Sequence, residues 1–156
     1  MKPKIILVPL DGSRLAEGAL DTAIGYARDG ATVVLLRAAE AHGTPFADPA
    51  EAQVAAIREA EDYLAGVAAR IRRAGATDVE TSVWYGPPVE AITDAAKYRK
   101  ADLIVMSTHG RSGLGRLVLG SVAESVLRAT STPILLLRPA TPEWAASEPA
   151  REATRV

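Results

Sequence analysis

Short apolar runs alternate with helix-spaced stripes along most of the chain, and that alternation constrains the fold more than any other feature. The runs fall at residues 5–8, 33–36, 79–85, 103–106 and 134–137, the third being the most alternating. Continuous apolar stretches of this length suit strands covered on both faces. Between them, Leu15, Ala19, Ala23 and Ala27 recur every four residues, with Leu20 and Ile24 beside them and Gly30 as a C-cap. Ile57, Leu64, Val67, Ala68 and Ile71 stripe a second, long helix stopped by Gly75. Val89, Ile92, Ala95 and Ala96 stripe a third, opened by Pro87 and Pro88, and Val122, Val126 and Leu127 a fourth. Strand and helix thus alternate four times before a closing strand. The expected fold is a three-layer, doubly wound, Rossmann-like α/β domain around a parallel five-stranded sheet. Residues 41–49 read as a loop, and residues 140–156 as a polar tail beyond a single domain at 1–139.

Composition then removes whole classes of function. The absence of cysteine excludes disulfides, a thiol nucleophile, iron–sulfur clusters and thiolate zinc ligands. Two histidines, His42 and His109, make a histidine-rich metal site a poor expectation. Lys and Arg total 18 against 19 Asp and Glu, a net charge of -1. A protein living on nucleic-acid phosphates would be far more basic, so no nucleic-acid partner is expected. No apolar run approaches the roughly 18–20 residues that span a bilayer. The expectation is a cytoplasmic protein with no membrane contact.

In doubly wound sheets, ligands sit outside the carboxyl ends of the strands, where the strand order reverses. Two strand-end loops stand out. After the first strand comes Pro9-Leu10-Asp11-Gly12-Ser13. After the fourth, residues 107–121 carry four glycines within 110–120 and end at a helix start. Glycine lets the backbone approach a ligand, and free amides at a helix N-terminus favour phosphate. Arg111 and Arg116 add local positive charge. The loop is neither a Walker loop nor a dinucleotide fingerprint nor a nucleophile elbow: Arg116-Leu117 replaces Lys-Ser/Thr, Val118 replaces a third glycine, and Leu114 replaces the elbow's last glycine. Plainer roles exist too. Asp11 can organise its turn or cap a helix, and Ser121-x-x-Glu124 has the form of a capping box. His109 can be a loop hydrogen-bonder, and Trp84 a packing residue. Arg72-Arg73 and residues 97–100 read as solvated helix faces.

The segment from His109-Gly110 through a nine-residue spacer to Gly120-Ser121 resembles the universal stress protein family, whose ATP-binding members carry G-x2-G-x9-G-[S/T] after the fourth strand. Gly110, the spacer, Gly120 and Ser121 match; Ser107 stands where the first glycine would be. The opening residues 8–13, the turn Gly86-Pro87-Pro88 and the closing residues 131–137 are similar to the family as well. The resemblance covers about residues 2–138. It implies an adenine nucleotide alpha hydrolase-like sheet of order 3-2-1-4-5, which sets the two loops across one crevice. It also implies adenine contacts at Asp11 and Ala38, and phosphate contacts at Gly110, Gly120, Ser121 and the backbone of Val122. The loops and strand ends around these add Pro9, Ser13, Met106, Ser107, His109, Arg111 and Gly113 as candidates. The expected ligand is ATP, with or without Mg2+ on its phosphates, in a regulatory module that pairs as a homodimer through residues 134–137. The alternatives are a nucleotide-free dimeric scaffold and a slow ATP hydrolase, the latter short of groups for general base catalysis.

Overall fold

A computed structural model describes residues 2–43, 45–108 and 119–138. The strands are β1 (Ile5–Pro9), β2 (Thr32–Ala39), β3 (Val79–Tyr85), β4 (Leu103–Ser107) and β5 (Ile134–Leu137). They form one parallel sheet in the order β3-β2-β1-β4-β5. The helices are α1 (Arg14–Glu17), α2 (Leu20–Arg28), α3 (Pro49–Arg73), α4 (Pro88–Tyr98) and α5 (Ser121–Ala129). Alternation along each strand splits the core in two. Ile6, Val8, Val33 and Leu35 face α2 and α3, packing with Leu20, Ile24, Leu64, Val67 and Ile71. Leu7, Val34, Leu36, Ile104 and Met106 face α4 and α5, packing with Ile92, Ala95, Ala123 and Val126. The central strands are therefore apolar at consecutive positions because both faces are covered. The three-layer α/β expectation and the strand order 3-2-1-4-5 agree with this architecture.

The helices end by a common device. After α2, the Gly30 amide donates to Ala27 and the Ala31 amide to Tyr26; after α3, Gly75 donates to Arg72 and Ala76 to Ile71. Gly30 and Gly75 take φ of 92° and 104°, the left-handed geometry that this C-terminal motif needs.

Several expectations need correction. The first helical stripe is two helices rather than one. At Gly18 and Ala19 the amides bond back to Leu15 and Ala16, a tighter i→i−3 pattern, and the helix restarts at Leu20. Ala19, Ala23 and Ala27 stay buried across the break, so the stripe hid it. Pro49 is the first residue of α3 rather than the end of a loop, with Asp48 accepting from the Ala50 amide as N-cap. Leu127 lies outside the buried stripe of α5, which is Ala123 and Val126; it is 51% exposed. Two basic residues read as solvated are engaged: Arg72 donates to the Val79 carbonyl at 2.6 Å, and Arg99 pairs with Glu80. Trp84 packs as expected, edge-on to Tyr98 with 6.1 Å between ring centroids.

Candidate functional site

In this order β1 has β2 on one side and β4 on the other, so the chain reverses direction across the sheet at β1. A cleft of about 210 Å³ opens at that place, outside the carboxyl ends of β1, β2 and β4. Nine of the expected residues line it: Pro9, Asp11, Ser13, Ala38, Met106, Ser107, Gly120, Ser121 and Val122. His109, Gly110, Arg111 and Gly113 lie outside the described residues, as do Arg116 and the expected tail at 140–156.

The β1 wall is a turn that the sequence specifies residue by residue. β1 runs out at Pro9, and the Leu10 amide still donates to Leu36 at 2.8 Å. Gly12 then adopts φ of 87°, a value that disfavours a side chain. Asp11 Oδ1 accepts from the Ser13 amide at 2.9 Å and from the Ser13 hydroxyl at 2.5 Å. Ser13 Oγ in turn accepts from the Ala16 amide at 3.1 Å, capping α1. Asp11 thus fills its plainer role as turn organiser with one oxygen. Oδ2 has no partner among the described residues and stays available as an acceptor at the cleft.

Opposite stands the start of α5. The expected capping box does not form. Gly120 is the N-cap, with extended φ and ψ of -64° and 152° and no side-chain bond, while Glu124 pairs with Arg128 at 2.8 Å one turn on. The first intrahelical bond is Glu124 to Gly120, so the amides ahead of it have no acceptor within the helix. Gly120, Ser121, Val122 and Ala123 all border the cleft. That end offers donors and the positive end of the helix dipole. At the floor, the Ser107 hydroxyl is buried without a partner among the described residues.

Sequence reasoning missed the remaining walls. Leu10, Leu15, Leu36, Pro88 and Ile92 make much of the lining apolar, and Arg37 adds a cation beside Asp11's turn. A polar chain stands behind that wall. Arg37 lies over the Tyr63 ring with Cζ 4.8 Å from its centroid. The Tyr63 hydroxyl donates to Glu17 at 2.9 Å, and Arg70 donates to the same oxygen at 2.9 Å. Burial, then the bond to Glu17, pushes the Tyr63 phenol well above its ordinary range, so it remains a donor at physiological pH. The signal for this chain was faint: one glutamate inside an apolar stripe, and a tyrosine 46 residues later.

An apolar slot with an acceptor at one end and, at the other, backbone donors that have no acceptor among the described residues fits a base joined to a phosphate. Among the described residues no group of three or more acidic or histidine side chains is placed to hold a metal ion. Comparison with known proteins follows the same line. The profile of the universal stress protein family matches residues 2–138. A universal stress protein of Methanocaldococcus jannaschii is 34% identical over 142 residues, covering 86% of this chain and 82% of that one. The solved structure of UspA from Lactobacillus plantarum superposes with a TM-score of 0.72 at 28% identity, covering 88% of this chain and 99% of the other. A universal stress protein solved in complex with cAMP gives 0.62 at 28% identity, covering 90% and 100%. One from Archaeoglobus fulgidus solved with dAMP gives 0.63 at 25%, covering 87% and 98%. With the profile matched from residue 2 to residue 138 and the sheet order in agreement, the chain belongs to the universal stress protein family.

Proposed function

We propose that this chain binds an adenine nucleotide, ATP foremost, in the cleft between β1 and β4, and serves as a regulatory stress-response module rather than a fast enzyme. The observation that carries the reading is the pairing of the Asp11 turn with the uncapped start of α5 across one apolar cleft. In this reading the base lies between Asp11 and the end of β2 at Ala38, and the phosphates meet the amides from Gly120 to Val122. Pro9, Ser13, Met106 and Ser107 border the same cleft; the proposal keeps Gly110 as a phosphate contact and His109, Arg111 and Gly113 as further ligand contacts. The cAMP and dAMP complexes of relatives support an adenine ligand. A Mg2+ ion would ride on the phosphates. Slow hydrolysis is the weaker option, since the only acidic side chain bordering the cleft among the described residues is Asp11, and it holds the turn. The working unit is a cytoplasmic homodimer, each copy a domain at 1–139 with 140–156 appended; among the described residues no helix is long and apolar enough to cross a membrane.

A second reading, a dimeric scaffold without nucleotide, is favoured by Ser107 in the place of the motif's first glycine. A thermal melt against ATP separates the two. Ligand at about 100 times its Kd stabilises by about 2.7 kcal/mol, and each kcal/mol moves Tm by roughly 2–4 °C in a domain near this size. Saturating ATP should raise Tm by roughly 5–10 °C. Gly120→Val should remove that rise while the chain still folds, and Asp11→Ala should weaken adenosine and ATP alike. A flat titration of ligand-free parent protein refutes nucleotide binding.

A further inference from the structure

We propose that Arg37 reads the base: its guanidinium donates to acceptor atoms on the polar edge of a purine held against the Asp11 turn. The inference rests on the nucleotide reading above and adds to it a residue that the family motif does not supply.

Arg37 sits near the end of β2 on the same face as Val33 and Leu35, both fully buried. A cation in that row is costly unless something uses its donors. The side chain is only 18% exposed, yet its one described hydrogen bond runs 3.5 Å to Glu59, which is 77% exposed. A guanidinium carries five N–H donors, and one long bond to a solvated carboxylate leaves it under-used. Among the described residues lining the cleft it is the only cation, as Asp11 is the only anion.

The geometry aims the group at one place. Nη1 stands so near the turn that a Cβ on Gly12 would lie 2.5 Å from it. Gly12 therefore serves both the turn and the close approach of Arg37. A donor, Arg37, thus stands against Gly12, the residue that follows the acceptor Asp11 in the chain, and both side chains line the same cleft. Neighbouring donor and acceptor groups are what the polar edge of a heteroaromatic base requires, since its amino groups and ring nitrogens alternate in the same way. Tyr63 covers one face of the guanidinium and is itself fixed through its hydroxyl to Glu17. Arg37 is thereby oriented before any ligand arrives, which lowers the entropy lost on binding.

The test is calorimetric titration of the full chain with adenosine, ATP and inorganic tripolyphosphate. Arg37→Met keeps the stem and removes the donors. It should weaken adenosine and ATP by the same factor, about tenfold, and leave tripolyphosphate unchanged. Glu59→Ala releases the guanidinium from its one described hydrogen bond and should tighten adenosine about twofold. Unchanged adenosine binding by a folded Arg37→Met overturns the inference, as does a loss confined to ATP and tripolyphosphate, which would put Arg37 on the phosphates. If Arg37→Met does not fold, Glu59→Ala decides: no tightening overturns the inference. A parent that binds neither adenosine nor ATP refutes the nucleotide reading itself, and the inference with it.

Discussion

Lys100 holds the conformation that glycine holds elsewhere in this chain. It follows α4 as Gly30 follows α2 and Gly75 follows α3, with the same pair of bonds: its amide donates to Lys97 and that of Ala101 to Ala96. Its φ is 52°, the only positive value at a described residue other than glycine. For an L-residue with a Cβ that geometry costs about 1 kcal/mol relative to glycine. The same geometry at three helix ends argues that the motif, not the residue, dictates the turn. Lys100→Gly should therefore stabilise the fold by about 0.5–1 kcal/mol, raising Tm by roughly 1–4 °C. A Tm that falls would mean that the lysine side chain makes a contact worth more than the strain. At this scale the sequence was most legible where a residue acts on its immediate neighbours. Asp11 and Ser13 form their turn as their spacing implies, and Gly30 and Gly75 end their helices. It misled where two local partners competed. Ser121 and Glu124 have capping-box spacing, but Arg128 takes the Glu124 carboxylate and Gly120 takes the cap position.

At the scale of elements, α1 has only four residues, too few to hold itself in water. Yet it carries Leu15 and Ala16 into the cleft wall and follows directly from Ser13. What holds it is its last residue. Glu17 is 7% exposed and takes Tyr63 and Arg70 of α3 on one oxygen. Removing Glu17 takes away the carboxylate that the Tyr63 hydroxyl and Arg70 share. Arg70 is 26% exposed and can recover some hydration, which lowers the cost. Glu17→Ala should thus destabilise by about 2–3 kcal/mol in urea unfolding, and Tyr63→Phe by about 1 kcal/mol. The long Arg37–Glu59 contact, whose carboxylate is solvated, makes the control: Glu59→Ala should change stability by less than about 0.5 kcal/mol. Equal effects from Glu17→Ala and Glu59→Ala would show that α1 is held by something else. The same element shows why part of the fold was hidden. Strands were readable because the central ones are apolar on both faces. The break at Gly18 was not, since the four-residue period runs through it. Neither the Glu17 anchor nor the setting of Arg37 could be read locally, because both depend on α3 packing against β2. The strand order likewise came from likeness to a family, since periodicity does not say which strands are neighbours.

For the whole molecule, the two sheet edges are not equivalent, and the difference selects how two copies would meet. At one edge β3 exposes Glu80 and Thr81, and Glu80 pairs with Arg99. Charge and polarity of that kind blunt an edge against association. At the other edge β5 pairs, among the described residues, on one side only, with β4, and its residues Ile134, Leu135, Leu136 and Leu137 carry no charge. Ile134 and Leu136 pack toward the α4 and α5 layer and Leu135 and Leu137 toward the α2 and α3 layer, yet all four keep partial exposure. A short apolar strand with one open side is a template for a second strand, and an identical one meets it through a twofold axis with self-complementary contacts. α5, which leads into β5, also leaves Leu127 half exposed. Light scattering at micromolar concentration should therefore give about twice the 16.4 kDa chain mass. Leu136→Glu puts two carboxylates near the axis without partners, and should give a monomer or an aggregate. Deleting residues 141–156 should leave the dimer intact. A monomeric parent refutes the edge as an interface. A dimer lost only on that deletion assigns the contact to the C-terminal segment instead.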